Sequence, residues 1–401
     1  MIKSPLTIVV IFAICVLRTA PGAQAGEQSR GQYLAILGDC AGCHTYGHGP
    51  AYSGGQPMHA VFGTVYSVNI TPDKATGIGA WTSTQFYRAL HDGIAANGNH
   101  LYPAFPYPYF AKMNRTDTDA IFAYLKTLKP VYRPPTPNAL IFPTNLRILM
   151  AGWDLLFLDR SSFKPDPTKS VEWNRGAFIV NGPGHCAACH TPKNILFADE
   201  PNEAFRGVTI DGWFAANLTA SPRDGLGQWT RAETIQYLKT GLNQHSRAAG
   251  SMQEVVMDST SKMTDPDIAA IATYLKSLPA APVETPKTPS TADMQAGQII
   301  FVQRCSACHT APDQPHPRDY PLLAHNTMVQ ARNPTSVLAV ILDGAESAST
   351  ANAPVGFSMP AFTYLSDNEV AQVATYIRNS WGNKADAATA AQAAGVRQNM
   401  R

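Results

Sequence analysis

Cys40-Ala41-Gly42-Cys43-His44, Cys186-Ala187-Ala188-Cys189-His190 and Cys305-Ser306-Ala307-Cys308-His309 repeat one arrangement three times in a chain of 401 residues. Two thiols at this spacing can reach the two vinyl groups on one edge of a porphyrin, and the histidine that follows can present a ring nitrogen to the iron. Zinc also accepts Cys-x-x-Cys, but it needs four ligands, so three separated units would have to pair and leave one over. A thioredoxin-like redox pair explains the thiols and not the repeated histidine. The pattern predicts three covalently bound haem c groups. They would be attached at Cys40 and Cys43, Cys186 and Cys189, and Cys305 and Cys308, with His44, His190 and His309 as iron ligands.

The sixth iron position governs redox behaviour, and a methionine thioether there raises the potential relative to a second histidine. Met252 lies 62 residues past His190, and Met359 lies 50 past His309, each in a loop before a closing helix. Both are candidate ligands. Met257 and Met263 compete with Met252, but Met263 fits better as a staple before a helix and Met257 as packing. The corresponding place in the first unit, 61 residues past His44, holds Phe105, which cannot bind iron. The first haem is left with His100, Met113 or no sixth ligand, and the register of Met113 makes it another staple.

These sites need elements to hold them. The attachment motifs are 146 and 119 residues apart, enough for one small haem domain each. Asn69-Ile70-Thr71 followed by Gly77-Ile78-Gly79-Ala80-Trp81-Thr82 recurs as Asn217-Leu218-Thr219 followed by Gly225-Leu226-Gly227-Gln228-Trp229-Thr230, so the first two units are duplicates. Thr82 and Thr230 are expected N-caps of the helices that follow. Closing helices are expected over 114–128, 264–278 and 366–380. Each starts at a capping residue (Asn114, Thr264, Ser366) ten positions before a tyrosine (Tyr124, Tyr274, Tyr376), and each is preceded by Met113, Met263 or Leu365. Each tyrosine is expected to pack on the helix that bears the haem motif. The chain thus reads as all-α, three tandem haem domains joined by proline-rich linkers near 130–143 and 279–289. Between the first two lies an apolar stretch, 139–163, interrupted by Asn145, Arg147 and Asp154. It is expected to pack between domains or to face a partner or membrane.

Composition sets further bounds. Six of the seven cysteines sit in the motifs, and the seventh, Cys15, falls in residues 1–25, which have the layout of a removable signal peptide. The apolar run there is short for a retained membrane helix. Losing Lys3 and Arg18 takes the balance of 31 basic and 29 acidic residues to 29 of each, which haem propionates would tip acidic. No basic stretch suits nucleic acid. Gly54-Gly55 and Gly77-Ile78-Gly79 lack the context of a dinucleotide fingerprint, so hydride chemistry and catalytic residues are not expected on this chain.

Gly63-Thr64-Val65-Tyr66-Ser67-Val68-Asn69-Ile70-Thr71-Pro72-Asp73, Leu101 to Tyr107, Trp173-Asn174-Arg175-Gly176 and the run from Asn181 to Pro192 resemble the multihaem cytochrome c subunits of bacterial membrane-associated dehydrogenases, which serve alcohol, fructose, sorbitol, gluconate and aldehyde dehydrogenases. The resemblance covers nearly the whole mature chain. Motif spacing and the proline-rich breaks delimit domains over 26–138, 171–279 and 292–382, an apolar linker over 139–170 and a proline-rich linker over 280–291, and the Ala- and Gln-rich tail over 383–401 is expected to be mobile; the resemblance makes the domains cytochrome c. It also implies a non-catalytic subunit that takes electrons from a flavin, quinone-cofactor or molybdenum partner and passes them to ubiquinone or a terminal oxidase. The expected place is the periplasm, peripherally attached to the outer face of the inner membrane. By motif, His44, His190 and His309 match the family's proximal ligands, and Met252 and Met359 its distal ones. Family members often carry methionine where this chain has Phe105. A freestanding carrier, or a peroxidase-like enzyme at an open first haem, are the competing readings.

Overall fold

A computed structural model describes residues 22–60, 62–282, 285–309, 320–356 and 358–399, with the backbone alone over 22–29. Most of the expected leader, including Cys15, lies outside these residues.

The first unit begins with α1 (Gly22–Leu37), which runs to the attachment helix α2 (Cys40–His44), then β1 (Pro57–Ala60), β2 (Gly63–Tyr66), α3 (Ser83–Asp92), α4 (Tyr107–Phe110) and α5 (Arg115–Leu125). The linker follows as β3 (Ala139–Leu140) and α6 (Leu149–Phe157). The second unit repeats the plan with α7 (Val171–Asn181), the attachment helix α8 (Cys186–His190), β4 (Val208–Ile210), β5 (Trp213–Ala215), α9 (Arg231–Thr240), α10 (Ser251–Asp258) and α11 (Asp265–Lys276). The third comprises α12 (Thr291–Arg304), α13 (Thr335–Asp343), β6 (Ala345–Glu346), β7 (Ser358–Met359), α14 (Asp367–Arg378) and α15 (Ala390–Asn399).

In each unit the leading helix crosses the closing one: α1 on α5, α7 on α11, α12 on α14. The crossings use the same residue types. A Cβ at Gly31, Gly176 or Gly297 would stand 1.9, 2.0 or 2.2 Å from a carbonyl oxygen of the partner helix and within 3 Å of the Cβ of Tyr124, Tyr274 or Tyr376. Glycine lets the backbones meet, and the tyrosines expected against the motif-bearing helix pack there, on the helix leading to the motif. The predicted caps are present. Thr82, Thr230 and Ser366 form full capping boxes, and Asn114 accepts from the Asp117 amide. Thr264 occupies its N-cap without a side-chain cap bond and instead meets the Tyr33 hydroxyl at 3.1 Å. Met113, Met263 and Leu365 are buried, as staples require.

The all-α expectation is overturned. The described residues contain a three-stranded antiparallel sheet in the order β1-β2-β3 and two antiparallel hairpins, β4-β5 and β6-β7. Asp211-Gly212 turns β4 into β5 with both residues at positive φ, 49° and 76°, the geometry a two-residue hairpin favours. In the first unit the linker strand adds to the sheet through Gly63↔Leu140 and Thr64↔Ala139. Nor do the units stand as three equivalent beads. One continuous core runs through the first and second, from Leu34 and Ile121 to Ile179 and Ile271, whereas the third has its own around Phe301, Leu338 and Val373. The tail expected to be mobile forms α15, with Ala393 and Val396 buried and Arg397 paired to Asp367 at 2.8 Å. Fully buried Arg378 ties the third unit together by donating to the carbonyls of Val329 and Ala331, both at 2.9 Å.

Candidate haem sites

The first two attachment helices are alike down to their backbone. Each is entered through a non-glycine residue in the left-handed region, Asp39 at φ 47° and His185 at φ 36°. Asp and His are among the side chains that tolerate this region best. Each ends on the histidine that would meet the iron.

That histidine is oriented from behind. His44 Nδ1 lies 2.6 Å from the Val68 carbonyl oxygen, and His190 Nδ1 lies 2.7 Å from that of Ala216. A carbonyl can only accept, so the proton sits on Nδ1 and the Nε2 lone pair is left for a metal. Burial lowers the pKa of both rings, keeping them neutral as ligation needs.

The repeated Asn-x-Thr string supplies the support for these carbonyls. Asn69 Oδ1 accepts from the Thr71 amide at 2.9 Å, and Asn217 Oδ1 from the Thr219 amide at 2.8 Å, closing a turn immediately after Val68 or Ala216. The threonine hydroxyls then hold the linkers, accepting from the amides of Val131 at 3.1 Å and Ala281 at 3.2 Å. Gly54 and Gly207, at φ 75° and 80°, donate their amides to the carbonyls of His44 and His190 at 2.7 and 2.9 Å. A Cβ on Gly54 would meet the Val68 carbonyl itself at 2.5 Å. Finally, Lys276 donates to the carbonyls of Leu226 and Trp229, and Lys126 to that of Gly79, clamping the Gly-x-Gly-x-Trp loop in both units.

The six cysteines among the described residues are thiols without disulfides. Burial pushes Cys40 and Cys186 up to about 12 and Cys305 up to about 11, and raises Cys43 and Cys189 as well. Free thiols at this spacing are the groups that add to the two vinyl positions on one edge of a porphyrin to form thioethers. Among the described residues no three His, Cys, Asp or Glu side chains converge as a metal cage. Trp229 Nε1 is buried with no acceptor, which an anionic carboxylate such as a haem propionate would provide. The residues present therefore fit haem. The third motif, residues 305–309, follows directly from the end of α12, with the His309 ring 6.4 Å from that of Tyr320.

Of the candidate sixth ligands, Met252 sits half-buried in the first turn of α10 between two hydrophobic clusters, and Met359 sits half-buried on β7. Met113 is fully buried just before the N-cap of α5, the staple position. Phe105 packs with Tyr107 and Phe110 at centroid distances of 6.5 and 5.5 Å. His100 is already engaged: its Nδ1 lies 2.7 Å from Asp154 Oδ2, while the Tyr107 hydroxyl donates to Asp154 Oδ1 at 2.5 Å. Only Nε2 of His100 is left for any ligation. Sequence reasoning missed Asp154 as the anchor of this group. Its one signal was an acid in an otherwise apolar helix.

Residues 28–129 and 294–381 match the family model described as cytochrome c. The chain is 38% identical over 396 residues to the cytochrome c subunit of a quinone alcohol dehydrogenase from Gluconacetobacter polyoxogenes, covering 94% of this chain and 85% of the relative. It is 38% identical over 387 residues to the gluconate 2-dehydrogenase cytochrome c subunit of Pantoea cypripedii, covering 90% and 87%. To the fructose dehydrogenase cytochrome subunit of Gluconobacter japonicus it is 36% identical over 399 residues, covering 91% and 81%. The matches to these relatives cover 90% or more of the chain, whereas the family model matches the first and third units. The chain belongs to the cytochrome c family, among the cytochrome c subunits of bacterial dehydrogenases, and its work is electron transfer through covalently bound haem.

Proposed function

We propose that this chain carries three haems and passes electrons from a partner dehydrogenase to ubiquinone or a terminal oxidase. The observation that carries this reading is the threefold Cys-x-x-Cys-His pattern with, in two copies, a neutral histidine held by a carbonyl so that Nε2 is the free ligand atom. Bound haem supplies a one-electron iron couple. The protein's own residues attach it, fix the ring that faces the iron, exclude water and offer Met252 and Met359 as further ligands. The partner is of flavin, quinone-cofactor or molybdenum type and carries the substrate chemistry; relatives named as cytochrome subunits of a quinone alcohol dehydrogenase, a gluconate 2-dehydrogenase and a fructose dehydrogenase support a dehydrogenase in that place.

The place of action is the periplasm, at the outer face of the inner membrane. The linker supports peripheral attachment. Ile141, Phe142, Ile148, Leu155 and Leu156 are exposed, whereas Arg147 and Asp154 turn inward to the His100 carbonyl and ring. An outward face that keeps its charges inside suits an apolar surface. No described helix is long and apolar enough to cross a membrane.

The test is anaerobic mixing. The purified chain should be reduced by its partner dehydrogenase with substrate, and by no sugar, alcohol or aldehyde alone. Direct reduction by substrate would overturn the assignment.

A further inference from the structure

The first two attachment sites face each other across the fused core. α10 of the second unit packs on α2 of the first, and α4 of the first reaches the entry to α8, where Phe110 meets the His185 ring edge-on at 5.7 Å. His185 Nε2 lies 3.4 Å from the Gly38 carbonyl oxygen, two residues before Cys40, and His185 itself directly precedes Cys186. Ser259 donates to the Ile36 carbonyl at 2.7 Å, and Tyr109 to Asp199 at 2.6 Å, closing the seam on either side. The third site instead belongs to the separate core.

We propose that His185 is a positioning residue that sets the spacing between the first two attachment sites, so that these sites exchange electrons as a coupled pair and the third acts as a separate station. The step is a one-electron exchange: the ferrous site is oxidised as the ferric site is reduced, with no bond made or broken. The left-handed backbone at His185 aims the imidazole across the seam instead of along its own helix, and the Gly38 carbonyl and Phe110 ring receive it. The proposal rests on the three-haem reading, and the two can fail separately.

The holoprotein is titrated potentiometrically and followed by electron paramagnetic resonance, after its haem content has been counted. The expected result for the unaltered chain is three ferric signals, two of them broadened by mutual spin interaction that disappears when either partner is reduced. His185→Ala should lose that broadening and bring the two midpoints together, leaving the third midpoint in place. His185→Gln, which can still donate to Gly38, should restore most of it, and Arg304→Ala, at the matching place in the third site, should change nothing in the pair. If His185→Ala fails to fold, Phe110→Leu loosens the same contact from the other side and should act in the same direction. Three independent signals in the unaltered chain would overturn the proposal. So would an unchanged pair in both seam variants, or a shift of the third site as large as that of the pair. A haem count other than three would overturn the underlying reading instead.

Discussion

Phe105 occupies the place that methionine fills ahead of the other closing helices, and its ring is committed to an aromatic cluster with Tyr107 and Phe110. Potential follows axial-ligand identity, so the first haem should titrate lowest or leave its iron open to carbon monoxide. Phe105→Met should raise the lowest midpoint and abolish carbon monoxide binding; an unchanged titration would place the sixth ligand elsewhere. His100→Ala tests the rival, and a changed ferric spectrum at the first haem would identify His100 as the ligand. Should Met113→Ala remove a methionine-ligated signal, its staple role would be wrong. The attachment residues were legible because covalent chemistry fixes their spacing. The carbonyls of Val68 and Ala216 were not, because any residue supplies a carbonyl; only the Asn-x-Thr repeat one position later pointed to them. Asn217→Ala should cost about 1–3 kcal/mol in thermal or denaturant unfolding, and should shift the second haem's midpoint with the third unchanged. A midpoint that stays put would show that the turn does not hold His190.

Helices read from caps and staples came out within a turn of their expected ends, because those signals are local. The strands did not, since β1, β4 and β6 are two to four residues long and owe their pairing to tertiary placement. Asp211-Gly212 was the one overlooked hairpin signal. The glycine crossings escaped notice for a similar reason: a lone Gly in a helix marks a close approach only once the partner is known. Gly176→Ala should push α7 off α11 and cost roughly 1–3 kcal/mol or more in denaturant unfolding; a neutral effect would show the crossing to be looser than the 2.0 Å clearance implies. The linker helix α6 carries a different prediction. Leu155→Glu combined with Leu156→Glu should release the chain from lipid vesicles while preserving its haem spectrum, and retained binding would remove this face from the membrane account.

The whole molecule is a fused pair of units with a third beside it, which the linker prolines alone did not reveal because they mark breaks in the chain and not in the core. Tyr33 and Arg175, from the first and second units, converge on Asp267 at 2.6 and 2.7 Å. Burial raises the Asp267 carboxyl, but the bonds from Arg175 and Tyr33 outweigh it and hold the group below its ordinary value. That stabilisation is complete above the unfolded value near 4 and is lost as pH falls through the depressed folded value. Acid unfolding should therefore loosen the fused pair through this group, and Asp267→Asn should flatten that part of the stability profile; an unaltered profile would show that the group does not control it. The account's central claim is that one chain holds three one-electron sites, and anaerobic coulometric titration of the purified holoprotein tests it most directly. The account predicts three electrons taken up per chain, and an uptake of two or fewer would contradict it.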